Sequence, residues 1–375
     1  MMTIDGSEGE GGGQILRTAA ALSVHTGEPI AVDNIRSKRR VTGLRPQHVT
    51  ALEILKKISS ANASGLEVGA DRIEFPPGTP RGGRYEFDIG TAGSITLVFE
   101  TLILALFRSK KRFRIELTGG TDVKWSPPWD HFEHVYLPLI RSMGIDAKAE
   151  LIRRGHHPRG GGKARLIIGG SSDPSGIDLT RNVGSWKVEG KVHLSNLPDH
   201  IARRMRKGAV DILMGSDLVP GIAIDKGEPP STGTGIVLWA RSENSIIGSS
   251  ALGRKGFPAE KVGEEAANDL LKEIGSGATV DPYTMDQIVP FMAIAGNSGS
   301  LVRKITGHIE TNVRVVERML GVEFWIGRSA DPKRIRILTH PWEDRKKFQD
   351  QEGRGGEDAL EGHPKKVPRE QEDTL

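Results

Sequence analysis

No cysteine occurs in the 375 residues, so disulfides and thiolate-held zinc are both excluded. Aromatic residues make up only 5% of the chain, and no base-stacking module is visible, so any strand-like polyanion is expected to be gripped through its backbone. No apolar run approaches the length that crosses a bilayer. The first residues lack the basic-then-apolar order of a secretion signal. These absences lead to the expectation of a soluble, cytoplasmic protein with no membrane partner. The length leaves room for a large core and two domains.

Charge is present in both signs but unevenly spread. The formal net charge is +4. Residues 340–375 hold ten Asp/Glu and seven Lys/Arg, so the rest of the chain carries an excess of seven positive charges. That tail has almost no apolar pattern and is expected to be disordered from residue 339 onward. A basic body suits a polyanionic partner, and equally suits ordinary solubility.

Self-comparison points to a repeat. "GEGGGQILRTAAAL" (9–22) is a glycine loop running into an apolar helix, and "GTAGSITLVFETLILAL" (90–106) repeats the device about 80 residues later. "TPRGGRYEF" (79–87) returns as "HPRGGGKARL" (157–166). The helix end "ILKKISS" is echoed by "LIRSMGI", and again by "VERMLGV" after a gap of about 177 residues. Three copies of one unit are therefore expected, the third interrupted by about 95 residues. Each copy reads as glycine loop, helix, strand, second helix and closing hairpin, with "RIEFP"/"RYEFDI" and "AKAELI"/"ARLIIG" as hairpin strands. The fold class is α/β (α+β). Residues 1–182 and 278–338 would form the large domain, and 183–277 a smaller inserted α/β domain. The insert holds no dense set of catalytic groups and reads as a packing or substrate-guiding module.

Five stretches could carry chemistry. In "DGSEGEGGGQILR" five glycines crowd a helix entry, where backbone N–H groups can approach an anion. Glu10 could hold a divalent cation, and Arg17 could reach a phosphate. The loop is neither a Walker A nor a G-x-G-x-x-G motif, and a plain tight turn fits it as well. "IRSKRRVTGLRPQH" offers Arg36, Lys38, Arg39, Arg40 and Arg45, with Gln47 and His48 opening the next helix; it reads as a solvated basic loop or a phosphate loop. "GGTDVKWSPPWDHFEH" carries Asp122, Asp130, His131 and His134. The two histidines could share a metal, but a third ligand at diagnostic spacing is lacking. Pro127 and Pro128 make a stiff wall that could border a base. "TVDPYTMDQIVPFMAIAG" places Tyr283, Asp286 and Gln287 before an apolar run, where they could meet a nucleoside. "HIETNVRVVERML" sets His308 at the mouth of an amphipathic helix, whose apolar face is Ile309, Val313, Val316 and Leu320. A polar helix start accounts for that histidine equally well.

Taken together, "DGSEGEGGGQILRTA", "GLRPQH", "GTAGSITLV", "GGTD", "DQIVPFMAIAG" and "HIETNVRVVERML" resemble the RNA 3′-terminal phosphate cyclases. Six motifs fall in order from about Met1 to Leu338. The resemblance implies a large domain of three α/β units, each similar to the C-terminal domain of a translation initiation factor, with a smaller domain inserted in the last. It implies use of ATP, with Mg²⁺ or Mn²⁺, to convert an RNA 3′-phosphate into a 2′,3′-cyclic phosphate. The route it implies runs through a covalent histidine–AMP and an RNA-adenylate, releasing pyrophosphate and AMP. His308 then stands at the nucleophile position. Neutral imidazole is the nucleophilic form, and the positive end of a helix suits it and the phosphate under attack. By the same resemblance Glu10 contacts the metal. Arg17, Arg36, Arg39 and Gln47 belong to the phosphate and RNA-end pocket. Tyr283, Asp286, Gln287 and Pro128 surround the adenosine. Glu100 is counted with these nucleotide-binding residues, although it departs from the pattern, where Gln is expected; a carboxylate cannot donate as an amide does.

Two other classes compete. Cyclase-like proteins of ribosome assembly lack the nucleophilic histidine, whereas His308 is present here. An enolpyruvyl transferase on a similar repeated architecture gives the arginine loop and "HIETN" no role. Nothing in the sequence opposes a homo-oligomer.

Overall fold

The strands Met2–Asp5 (β1) and Ile30–Asp33 (β2) are joined by the glycine loop and helix Gly13–Thr26 (α1). They pair in parallel, as two strands linked through a helix commonly do. Helix Pro46–Ser59 (α2) follows, started by a proline at its first turn, and Ile73–Phe75 (β3) closes the sheet antiparallel to β2. The computed structural model describes residues 1–327 and 333–337 apart from 171, 183, 228 and 229. The charged tail expected from 339 lies outside the described residues.

The second sheet begins with Gly83–Asp88 (β4). Helix Ile95–Leu106 (α3) leads to Phe113–Gly119 (β5). Next come a short helix Trp129–His131 (α4), a π turn Phe132–Tyr136 and helix Leu137–Ser142 (α5). The hairpin Ala147–Arg153 (β6) and Gly162–Ile168 (β7) completes the order β4-β5-β7-β6. The chain then starts a third sheet with Asp178–Leu179 (β8), leaves it, and builds a separate layer: Lys187–Ser195 (β9), Asp199–Met214 (α6), Gly221–Gly227 (β10), Gly233–Arg241 (β11), Ile246–Leu252 (β12) and Ala259–Gly275 (α7). It comes back through Pro282–Ala295 (α8), Gly299–Val302 (β13), Gly307–Leu320 (α9), Phe324–Gly327 (β14) and Lys333–Ile337 (β15). The third sheet has the order β14-β15-β13-β8.

Read from its first strand, each of these three sheets runs first, second, last strand. In the second and third sheets the hairpin's first strand takes the far edge. In the first sheet that edge is a lone bridge from Ser64 to Glu74. This corrects one expected hairpin. "RIEFP" does not pair with "RYEFDI": β3 belongs to the first sheet, while β4 opens the second beside β5. Both segments are short strands divided by a Pro/Gly stretch, and strand pattern alone does not assign a strand to a sheet.

Helix α3 explains the core. It is apolar on nearly every side, and eleven of its twelve residues are buried, as befits a helix packed all round rather than on one stripe. Helices α1, α3, α8 and α9 pack together through Leu22, Phe99, Phe107, Phe291 and Val316, all within one continuous apolar cluster. The layer from β9 to α7 has an apolar cluster of its own, with Val192, Met205, Leu238 and Leu270. Among the described residues no helix is long and apolar enough to cross a membrane.

Candidate active site

Helix α9 begins with a true side-chain cap. The Thr306 hydroxyl oxygen accepts from the Ile309 N–H at 3.2 Å, the normal way to satisfy one exposed donor of a helix start. This fixes Gly307 and His308 in the first turn. Gly307 packs directly against the Glu10 carboxylate, and a methyl group there would push that side chain aside. Glu10 comes from the glycine loop, and its backbone N–H reaches Thr311 Oγ1 of α9 at 3.4 Å. The result is a contact between residues almost 300 positions apart: His308 Nε2 lies 3.2 Å from Glu10 Oε2. Arg39 Nη2 lies 3.5 Å from the same oxygen. His308 is 50% exposed and Glu10 42%, so the imidazole is open to a ligand.

Below this mouth lies a buried polar cluster. Arg17, Gln14, Glu100, Tyr136, Gln287 and Asn312 line one small cavity of about 20 Å³. Glu100 is 5% exposed, and neither carboxylate oxygen has a hydrogen-bond partner. Burial pushes its pKa up to about 8, with Asp286 adding and Arg17 opposing. Asp286 is raised to about 7, chiefly by burial, although Gln14 and Gln287 donate to its two oxygens and Arg17 favours its charge. Asn312 donates to the Asp286 carbonyl and so ties α9 to α8. Arg17 is drawn down by its own burial and held up by Glu100 and Asp286.

Glu100 therefore sets a pH dependence. A carboxyl whose pKa is higher folded than unfolded binds more protons in the folded state, so stability falls as pH rises across that interval. For Glu100 the interval runs from its ordinary 4.5 to about 8. Glu100→Gln mimics the neutral acid. It is expected to match the natural protein in melting temperature near pH 5 and to exceed it by several degrees near pH 9. Scanning calorimetry at both pH values checks this; an equal difference at both would show that the Glu100 charge is not suppressed.

The arginine loop packs beside the glycine loop. His48 on the first turn of α2 is buried, and its Nδ1 accepts from the Arg45 N–H at 3.2 Å, so the proton sits on Nε2. Burial, then Arg17, Arg36 and Arg45, push its pKa down to about 3, which keeps the ring neutral. Gly13 has no room for a side chain against that ring. Arg36 has a left-handed backbone and donates to the Val41 carbonyl at 3.3 Å. Gln47 is exposed on the same turn of α2, its Cβ against Gly93 of the second glycine loop.

The expected nucleoside residues divide into two places. Tyr283 and Pro128 line an open cleft of about 390 Å³ together with Trp125, Pro127, Ser250 and Arg254. Asp286 and Gln287, one turn further along α8, face inward to the cluster around Arg17. Glu100 also belongs to that inner cluster and not to the cleft. His131 and His134 do not converge. His131 Nε2 lies 3.5 Å from Asp281, the cap of α8, while His134 stacks on Trp239 at 4.2 Å between ring centres. His134 itself lies within the π turn Phe132–Tyr136.

Sequence reading missed the residues that hold these parts together. Gln14, Thr311 and Asn312 carried no motif signal of their own, although all three flank motif residues. Arg154 was also overlooked. It bridges Asp122 at 3.1 Å, Asp130 at 2.9 Å and Asp225 at 2.7 Å, joining the loop after β5 to the inserted layer. Lys191 adds a second cation to Asp130 at 2.9 Å.

A family model described as RNA 3′-terminal phosphate cyclase matches residues 8–326. Curated relatives with that same description include one from Pyrococcus furiosus, 43% identical over 343 residues, covering 91% of this chain and 100% of the relative. One from Pyrococcus abyssi is 42% identical over 339 residues, covering 90% and 99%. One from Nitrosospira multiformis is 41% identical over 340 residues, covering 90% and 96%.

Proposed function

The chain belongs to the RNA 3′-terminal phosphate cyclase family, and from that premise we propose that it closes an RNA 3′-phosphate to a 2′,3′-cyclic phosphate through a histidine–AMP intermediate on His308. The observation that carries this reading is the meeting of His308, Glu10 and Arg39 at one oxygen, from three separate motifs.

In the first step an imidazole nitrogen of His308 attacks the α-phosphorus of ATP, and pyrophosphate leaves. First-turn N–H groups of α9 not taken by Thr306 face the incoming phosphate, the arrangement that favours anions at helix starts. Arg17, beside Glu100 and Asp286, supplies the cationic surroundings of this step. Tyr283 and Pro128 offer two faces for the adenine. In the second step an oxygen of the RNA 3′-phosphate attacks the AMP phosphorus and frees His308. In the third the RNA 2′-hydroxyl oxygen attacks the 3′-phosphorus and AMP leaves. Arg36, Arg39 and Gln47 hold the RNA end still beside the adduct, which is worth most when the reacting groups are already oriented.

Glu10 is a single accessible carboxylate. Ions of the Mg²⁺ or Mn²⁺ type are commonly held by one or two carboxylates together with substrate phosphates, so the donor set fits an ion that arrives with the nucleotide. Such an ion, when bound, neutralises phosphate charge. Glu10 Oε2 also lies 3.2 Å from Nε2 of His308, which brings the carboxylate to the nucleophile. Glu10→Ala is expected to slow adenylylation about ten- to a hundred-fold, the scale of one lost charge-assisted contact. The check is the rate of label transfer from α-labelled ATP to protein; a rate within about threefold of the natural protein would make the glycine loop merely structural.

The proposal extends to architecture. Residues 1–182 with 278–338 form the catalytic body, three copies of one α/β unit similar to a translation initiation factor C-terminal domain, and 183–277 form an inserted domain. The recurring strand order and the separate apolar cluster of the insert support this. A cytoplasmic location fits the ATP and RNA substrates.

A further inference from the structure

We propose that Trp125 is a stacking platform for a base of the RNA strand next to its 3′ end, a binding site for a nucleobase distinct from the adenine place on Tyr283. The inference rests on the cyclase reading for the identity of the strand.

Trp125 is 96% exposed. Burying a tryptophan side chain removes roughly 150–250 Å² of largely apolar surface from water, so leaving it out forgoes a large gain. It is also held in a left-handed backbone, with φ of 63°, a region bulky residues rarely adopt. Strain of this kind persists only where the surroundings enforce it, and here they do. On one side Asp122 is buried and fixed by Arg154. On the other, the Pro127 carbonyl accepts from Thr96 Oγ1 at 2.8 Å, and the Trp129 N–H donates to Asp122 at 3.3 Å. Within the loop Ser126 Oγ donates to the Val123 carbonyl at 3.0 Å. A rigid frame thus pushes one large aromatic ring into solvent.

What it faces suits a nucleotide strand. Trp125 shares its cleft with Tyr283, itself 70% exposed, and with Lys124 and Arg254. Two exposed aromatic rings line one cleft, and the reaction brings two kinds of base to the enzyme. Tyr283 lies one turn before Gln287, which leads inward to Arg17, so its ring suits the nucleotide that reacts at His308. Trp125 stands on the outer wall. Its neighbour Lys124 makes no ion pair among the described residues and is available to a phosphodiester. The expectation that RNA is held by its backbone alone, drawn from the low aromatic content, is revised by placement: one ring in the right position is enough to stack a base.

The test uses the full-length protein and a short RNA ending in a 3′-phosphate. Isolated adenylylated protein is chased with increasing RNA, and binding of the same RNA without ATP is followed by anisotropy. Trp125→Ala should raise the RNA concentration for half-maximal discharge, and the anisotropy Kd, about tenfold, in line with the loss of one base stack. Trp125→Phe should keep most of the affinity. RNA lacking the terminal or the penultimate base should bind the natural protein more weakly, yet bind Trp125→Ala no worse than intact RNA does. Unchanged RNA affinity in Trp125→Ala overturns the proposal. So does a tenfold rise in the ATP concentration for adenylylation in place of the RNA effect, because the ring would then serve adenine. Failure of the natural protein to form any adduct would count against the cyclase reading alone, since the anisotropy arm still decides on Trp125.

Discussion

His308→Ala is expected to lose covalent adenylylation by at least about 10⁴-fold, the scale on which removing a nucleophile acts, with little change in stability. His308 is half exposed, and the side-chain contact it makes is to Glu10, so its truncation resembles an ordinary surface change worth within about 0.5 kcal/mol. The two readouts separate chemistry from folding. Label from α-labelled ATP should be absent from the denatured variant, while its melting temperature stays within about 2 °C of the natural protein. Label retained at the natural level would move the nucleophile elsewhere. Loss of label together with a collapse in melting temperature would make His308 a structural helix start.

Arg39→Ala is expected to block the second step while sparing the first. Arg39 is accessible and its contact to Glu10 is long. A pair of that kind contributes little to stability, so the charge is better spent on a ligand. A terminal phosphate is a dianion that must be held beside the adduct, and a guanidinium fork does this better than a lysine point charge. Discharge of preformed adduct to 3′-phosphorylated RNA should fall by about a hundredfold, with adenylylation reduced less than about threefold. A single-turnover chase measures both. Normal discharge would place Arg39 with ATP or with neither. RNA ending in a 3′-hydroxyl should leave the natural adduct intact; equal discharge by both RNAs would remove the phosphate pocket altogether.

Helices and motif positions were legible because their signals are local. The glycine entry and apolar run of α1, the His308 mouth and amphipathic face of α9, and the apolar run of α8 all rest on neighbouring residues. The convergence of Glu10, Arg39 and His308 was available only through resemblance, since no local pattern links residues almost 300 apart. Three other features were out of reach for physical reasons. Whether "RYEFDI" pairs with "RIEFP" or opens a new sheet depends on strand pairing, which is tertiary. Glu100 was placed with the nucleotide residues by resemblance, and that its carboxyl is carried inward beside Arg17, on a helix apolar all round, was not foreseen. Its place in the apolar run "ITLVFETLILAL" was the signal that could have told of burial. Trp125 sat unremarked in a Pro-rich loop, because composition counts rings and does not say which of them face solvent.

The central claim is a histidine–AMP bond that is formed from ATP and spent on an RNA 3′-phosphate. The most direct measurement incubates the protein with α- or γ-labelled ATP, maps the labelled peptide, and then adds 3′-phosphorylated RNA. The predicted result is α-label alone on the protein, at His308, labile to acid and stable to base as a phosphoramidate is. On addition of RNA the label should leave as AMP while the RNA end becomes resistant to phosphatase. An acid-stable adduct, label at another residue, or an RNA end that closes while the label stays on the protein would contradict the account.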